Sequence, residues 1–171
     1  MLRTIILRKL AAEERKLGES IDYVRFILRT SLGAFLRFAK IFPIAQYRKR
    51  LPVDAKHVAQ IVASRDEDCG TCVQIGVNLA RAEGVPLDVL RAVIAGEPER
   101  LEPRLADVYR FAEAVVTASP DADALRPRVA EHFGEEGLVE LALAIASSRF
   151  FPIVKRTLGY ARSCSLVTIE V

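Results

Sequence analysis

Apolar residues recur at helical spacing along almost the whole chain, and this periodicity constrains the fold more than any other feature. The plainest case is 105–118, where Val108, Phe111, Ala112, Val115 and Val116 fall on one side of a 3.6-residue repeat. Strand-like alternation reaches useful length only in the tail at 166–171. Alanine, leucine, arginine and glutamate dominate and tryptophan is absent, so strong helix formers outnumber residues that favour strands. The expectation is an all-α protein. With 171 residues, 51% of them hydrophobic, there is chain enough for one structural domain with a proper core.

Glycine, proline and capping residues punctuate the pattern. A first helix over Leu2–Leu17 ends at Gly18, Ser20 caps a second over 21–30, and Ser31 begins a third that reaches Phe42, where Pro43 closes it. Arg48-Lys49-Arg50-Leu51-Pro52 reads as a junction between a basic helical extension, 1–50, and a body, 51–171. In the body the expected helices cover 53–64, 69–82, 86–95, 105–118, 124–133 and 138–148, with Pro152 starting or kinking a last one to Tyr160. Most connections are short, so neighbouring helices should run antiparallel.

Charge is spread unevenly. Residues 1–50 hold 12 Lys and Arg against 4 acids, whereas 51–171 hold 13 against 18. Arg25, Arg29, Arg37 and Lys40 form a basic stripe in an apolar stretch, a pattern compatible with a membrane surface or a partner. The expectation is that these helices pack on the body or on a second subunit, with no nucleic acid bound. The first ten residues break their apolar run with charge and do not read as a secretory leader. No stretch reaches the ~18 uncharged apolar residues of a transmembrane segment. Three cysteines are too few for a disulfide scaffold, so a cytoplasmic, reducing compartment is expected.

Two of those cysteines lie three apart in Arg65-Asp66-Glu67-Asp68-Cys69-Gly70-Thr71-Cys72-Val73-Gln74-Ile75-Gly76. The acids at 66–68 suit the start of a helix, where short carboxylates accept unpaired N–H groups. Both sulfurs then fall in the first turn, where the helix dipole favours a thiolate. Such a dithiol can attack and then close to a disulfide without leaving the site. Glu67 and Asp68 are candidate proton shuttles, although a carboxylate beside a thiol also raises its pKa. Gln74, one turn from Gly70, is a candidate hydrogen-bond donor to the site or a surface residue. Cys164 reads as a buried thiol, His132 as a helix-end residue and Tyr109 as a core residue. No further His or Cys stands at metal-ligand spacing, so neither metal nor cofactor is expected.

The order of these parts resembles the carboxymuconolactone decarboxylase and alkylhydroperoxidase D-like superfamily over about 51–164. The resemblance rests on Leu51-Pro52 opening a helix, Cys69-Gly70-Thr71-Cys72 opening the next, and Ala82-Glu83-Gly84-Val85-Pro86 after it. Tyr109-Arg110-Phe111-Ala112-Glu113-Ala114 and Gly137-Leu138-Val139-Glu140-Leu141 continue it. It implies a helical homo-oligomer. In the peroxidase branch the second cysteine, here Cys72, attacks peroxide, and the first, here Cys69, resolves the sulfenic acid into a disulfide. A lipoylated or thioredoxin-like dithiol partner then reduces it. The decarboxylase branch lacks the cysteine pair, so Cys69 and Cys72 argue against a lactone lyase.

One departure stands out. The peroxidases carry a glutamate twelve residues before the first cysteine and a histidine four after the second, as a proton relay; here these positions hold His57 and Gly76. Three readings follow: His57 is itself the base, Glu67 or Asp68 shuttles the proton, or the chain is a disulfide exchanger or a non-catalytic relative. A non-enzymatic helical module that binds a partner or membrane through residues 1–50 is the alternative from another class.

Overall fold

The computed structural model describes residues 2–161, and among them every regular element is helical. The chain is all-α. In order the helices are α1 (Leu2–Leu17), α2 (Asp22–Thr30), α3 (Leu32–Phe38), α4 (Ile41–Gln46), α5 (Val53–Asp66), α6 (Gly70–Ala82), α7 (Leu87–Ala95), a 3-10 turn (Pro98–Arg100), α8 (Pro103–Val116) and α9 (Asp121–Thr157). Cys164 and the alternating tail lie outside the described residues.

Several boundaries differ from the sequence expectation. Ile21, not Ser20, is the N-cap of α2; the Ser20 hydroxyl instead accepts the Asp22 N–H at 3.3 Å. Ser31 does cap α3, accepting from the Ala34 N–H. Pro43 does not close that helix, which already ends at Phe38; it sits in the first turn of α4. A proline is tolerated there because its missing N–H has no intrahelical acceptor anyway. The acids 66–68 do not cap α6. Cys69 is the N-cap, Asp66 still belongs to α5, and Asp68 adopts a left-handed φ of 48°.

Helix α5 is the axis of the body. Nine of its fourteen residues are buried, and it packs against α6, α7, α8 and α9. A helix covered on all sides buries its polar positions too, which is why Lys56 and His57 lie inside. Val58, Ile61, Val77, Leu90, Val108 and Leu141 belong to the core built around it. A second apolar cluster joins α1–α3 to the C-terminal part of α9. At its centre the Phe38 ring meets Tyr23 edge-on at 6.0 Å and also touches Phe42, Phe150 and Phe151. Burying one such ring contributes roughly 2–3 kcal/mol. The basic stripe is partly neutralised: Arg25 pairs with Glu14 and Asp22.

The junction at 48–52 is tied to α9 through one buried carboxylate. Glu140 accepts the backbone N–H groups of Lys49, Arg50 and Leu51 at 2.9–3.1 Å. Helix α9 also holds an 18-residue window of mean hydropathy 1.6, long and apolar enough by length and composition to cross a membrane. Within this protein 44% of that window is buried, and α9 packs on α4, α5 and α8.

Helix α9 breaks once, at Gly134 (φ 70°, ψ 174°), rather than at Pro127 or Pro152, which it contains. This backbone region is closed to residues with a Cβ. An added Cβ there meets nothing within 4 Å, so the cost of Gly134→Ala is conformational and not a clash. Gly134→Ala is expected to lower the unfolding free energy by about 1–3 kcal/mol, measured by urea titration. An unchanged midpoint would show that the break straightens without strain.

Candidate functional site

Cys69 and Cys72 come together at the start of α6 as free thiols. Cys69 is 4% exposed and Cys72 is half-buried. The helix positions them by backbone geometry, since the N–H groups of Cys72 and Val73 both donate to the Cys69 carbonyl. The two thiols perturb each other in opposite directions. Hydrogen bonding from the Cys72 thiol, opposed by burial and aided by the Cys72 N–H and the charges of Lys155 and Arg156, lowers the Cys69 pKa to about 6. The same bond, burial and the Cys69 charge push Cys72 far above the ordinary thiol range. Both directions favour a thiolate at Cys69 over one at Cys72. The positive end of α6 favours the same arrangement.

The surroundings come from distant parts of the chain. From α2, Tyr23 is 7% exposed; burial first, then the negative charge of Cys72 and Cys69, raise its phenol pKa. From α9, Arg149 reaches Glu67 Oε1 at 2.7 Å and Asp66 at 3.3 Å. Arg156 reaches Glu67 Oε2 at 3.2 Å and also donates to the Glu67 carbonyl. These bonds clamp the end of α9 onto the turn that leads into Cys69. Tyr23, Arg149, Lys155 and Arg156 carry no local sequence signal linking them to the CxxC. Only the Lys155–Arg156 pair at the end of an apolar helix was visible, without a destination.

The remaining candidates are placed differently. Glu67 is buried between Arg149 and Arg156, an ion-paired position that ties its carboxylate to structure. Asp68 is exposed in its left-handed turn. Gln74 donates to Asn78 at 3.0 Å, and Asn78 donates to the Leu17 carbonyl at the end of α1; Gln74 thus supports the docking of α1 on α6. Tyr109 packs in the core, accepting from Arg65 at 2.9 Å. His132 meets the buried Asp107 at 3.1 Å.

His57 does not face the dithiol within the subunit. It lies 2% exposed beside Lys56, with Nε2 3.2 Å from Glu83, just past the far end of α6. Eleven residues of helical rise separate Glu83 from Cys72, about 16 Å. Burial, then the charge of Lys56, hold the His57 pKa down at about 4. The other relay position is filled by packing. A Cβ on Gly76 would come within 3.3 Å of Ile61 on α5, so the helices meet there without room to spare.

Among the described residues no group of three His, Cys, Asp or Glu side chains is arranged to hold a metal ion. A recess of about 640 Å³ lies between α8 and the start of α9, lined by Arg110, Glu113 and Thr117 among others. Another of about 290 Å³ lies beside Glu83, Asp54 and Arg104. Neither is lined by a cysteine. Comparison of the chain with protein families, with curated proteins and with solved structures returned no match.

Proposed function

We propose that the Cys69–Cys72 pair is a thiol–disulfide redox centre. The observation that supports this reading is the pairing itself: two free thiols at a helix N-terminus, one buried and one half-buried, within one helical turn of each other. A low-pKa thiol with a partner in reach is the arrangement that attacks an oxidant and then closes a disulfide.

Within this reading the resemblance to the alkylhydroperoxidase D-like superfamily favours a peroxide. Cys72 is the sulfur with more solvent access, and in this reading it reacts as the thiolate. The Cys72 thiolate displaces alkoxide or hydroxide from the peroxide O–O bond and becomes the sulfenic acid; the leaving oxygen takes up a proton. Cys69 then attacks that sulfur and expels water, so two thiols and one peroxide give one disulfide, one alcohol or water, and one further water. A lipoylated or thioredoxin-like dithiol, the reducing cytoplasm and a homo-oligomer belong to the same proposal.

The test is peroxide oxidation of the reduced protein without oxygen, with thiol loss followed and the products mapped by mass spectrometry. A Cys69–Cys72 disulfide is the expected product. Cys69→Ser should stop at a trappable sulfenic acid on Cys72, and Cys72→Ser should consume peroxide at least tenfold more slowly. A sulfenic acid on Cys69 in Cys72→Ser would exchange the two roles, and inert thiols would end the redox reading. A second reading, a binding module, is favoured by Phe26, Leu36, Phe42, Ile44 and Tyr47, all exposed in the basic extension 1–50.

A further inference from the structure

Helix α4 is built almost wholly of apolar residues, Ile41-Phe42-Pro43-Ile44-Ala45-Gln46, and none of them is buried. Neither apolar cluster of the protein includes any of the six. Phe42, Ile44 and the following Tyr47 are 38%, 40% and 43% exposed. A group of large apolar side chains left uncovered in this way marks a contact surface. The helix is nonetheless held in place. Phe42 stacks on Phe151 at 5.3 Å, Gln60 donates to the Ala45 carbonyl at 2.9 Å, and Glu140 fixes the backbone at 49–51. The exposed side chains therefore stand on a platform attached to the body.

The charge around α4 is of one sign. Lys40 precedes it and Arg48, Lys49 and Arg50 follow, all exposed. From 23 to 53 the chain holds seven Lys and Arg and no Asp or Glu. Among the described residues only Arg25 and Arg50 of the seven pair with a carboxylate. On the neighbouring α3, Phe35 and Phe38 are buried, while Leu36 and Arg37 stay outside. Exposed aliphatic and aromatic side chains interleaved with unpaired cations match a surface that is anionic on top and apolar beneath. A two-fold contact with another copy matches them poorly, because the patch would meet itself, cation against cation.

We propose that α4 and the basic residues on either side of it dock the protein on an anionic lipid membrane. Phe42, Ile44 and Tyr47 enter the boundary of the acyl chains, and Lys40, Arg48 and Lys49 meet the lipid phosphates. The contact is interfacial, since a six-residue helix is too short to span a bilayer. The proposal rests on the binding-module reading, whose partner it names, and is independent of the thiols.

The experiment is flotation of the full-length protein with vesicles of phosphatidylcholine, alone or mixed with phosphatidylglycerol. Binding is expected on the anionic vesicles, falling as salt is raised, and about tenfold weaker on phosphatidylcholine alone. Ile44→Asp and the double variant Lys40→Glu/Lys49→Glu should each lower it about tenfold or more. Ile44 belongs to neither apolar cluster, so Ile44→Asp should keep the wild-type urea midpoint. Should it fail to fold, Ile44→Trp decides the matter. The chain has no tryptophan of its own, so the single indole reports from this helix. Its emission should shift to the blue on anionic vesicles and be quenched by lipids brominated in the acyl chain. An unshifted emission, equal binding to both vesicle types, or binding that ignores Ile44→Asp overturns the proposal. Absence of vesicle binding overturns it too. In that case sedimentation separates the wider reading: a smaller oligomer in Ile44→Asp than in wild type keeps the binding module with a second copy as partner, and an unchanged oligomer ends it.

Discussion

Glu140→Ala is expected to destabilise the protein by on the order of 4 kcal/mol, a large share of the total for a domain of this size. The carboxylate is 3% exposed and takes three consecutive N–H groups, from Lys49, Arg50 and Leu51. Alanine leaves those donors without their acceptor at a place where water has poor access, and each orphaned donor costs roughly 1–3 kcal/mol before relaxation. The pKa of Glu140 gives a second handle. Burial alone would raise it, but the N–H groups of Leu51, Lys49 and Arg50 hold it below its ordinary value. A carboxyl whose folded pKa is depressed contributes stability above its unfolded pKa and loses it as the pH falls through the folded one. Glu140→Ala should therefore lower the urea midpoint at neutral pH and narrow its gap to wild type in acid. The loss should also be local, because Glu140 ties the junction to α9. Proteolysis after residues 48–50 should quicken before the body opens. A midpoint within about 1 kcal/mol of wild type would mean that water replaces the carboxylate.

The helices were legible because their signal is local. The span Leu2–Leu17, the start of α5 at Val53 and the end of α6 at Ala82 follow from apolar spacing and the prolines and glycines beside it. Two of the misread boundaries were decided by distant residues. Asp66 and Glu67 look like capping acids, yet their carboxylates are drawn to Arg149 and Arg156, more than 80 positions later. Pro152 looks like a break, but α9 continues through it where Phe150, Phe151 and Val154 pack against the N-terminal helices.

The candidate site divides the same way. A three-residue spacing is enough to bring Cys69 and Cys72 together, because one helical turn does it. Nothing in the sequence could nominate Arg149 or Arg156, which tertiary packing brings from α9 onto Asp66 and Glu67 beside the pair. The basic extension comes within electrostatic reach of the dithiol through Tyr23, which packs in the cluster that joins the extension to α9. The position of His57 was legible, but its surroundings were not. Twelve residues ahead of Cys69 lies near the start of α5, and α6 runs back towards it, so what meets His57 is Glu83 rather than a sulfur.

His57→Leu is the variant that separates those two possibilities, and its largest effect is expected in acid rather than at neutral pH. The folded pKa of His57 is about 4 against an ordinary 6.5, set first by burial and then by the charge of Lys56. Above the unfolded value both states hold a neutral imidazole, and the residue contributes no pH dependence. Between the two values the unfolded chain takes up a proton that the folded chain refuses, so stability falls as the pH drops. The full difference is about 3 kcal/mol, reached near the lower pKa. Leucine removes this dependence. It also removes a buried Nδ1 that has no hydrogen-bond partner together with the Nε2 contact to Glu83, opposing effects of about 1–2 kcal/mol each, so at neutral pH the variant should stay close to wild type. Urea midpoints at neutral pH and at about pH 5 test this: wild type should drop between them by clearly more than His57→Leu. A drop unchanged by the substitution would place the acid sensitivity elsewhere, with Glu83 and Glu140 next in line. The same variant should form the Cys69–Cys72 disulfide at the wild-type rate, since Glu83, which the imidazole meets, lies about 16 Å along α6 from Cys72. If disulfide formation slowed tenfold or more while the fold stayed intact, His57 would be acting on a dithiol other than its own, and the place to look would be a second subunit.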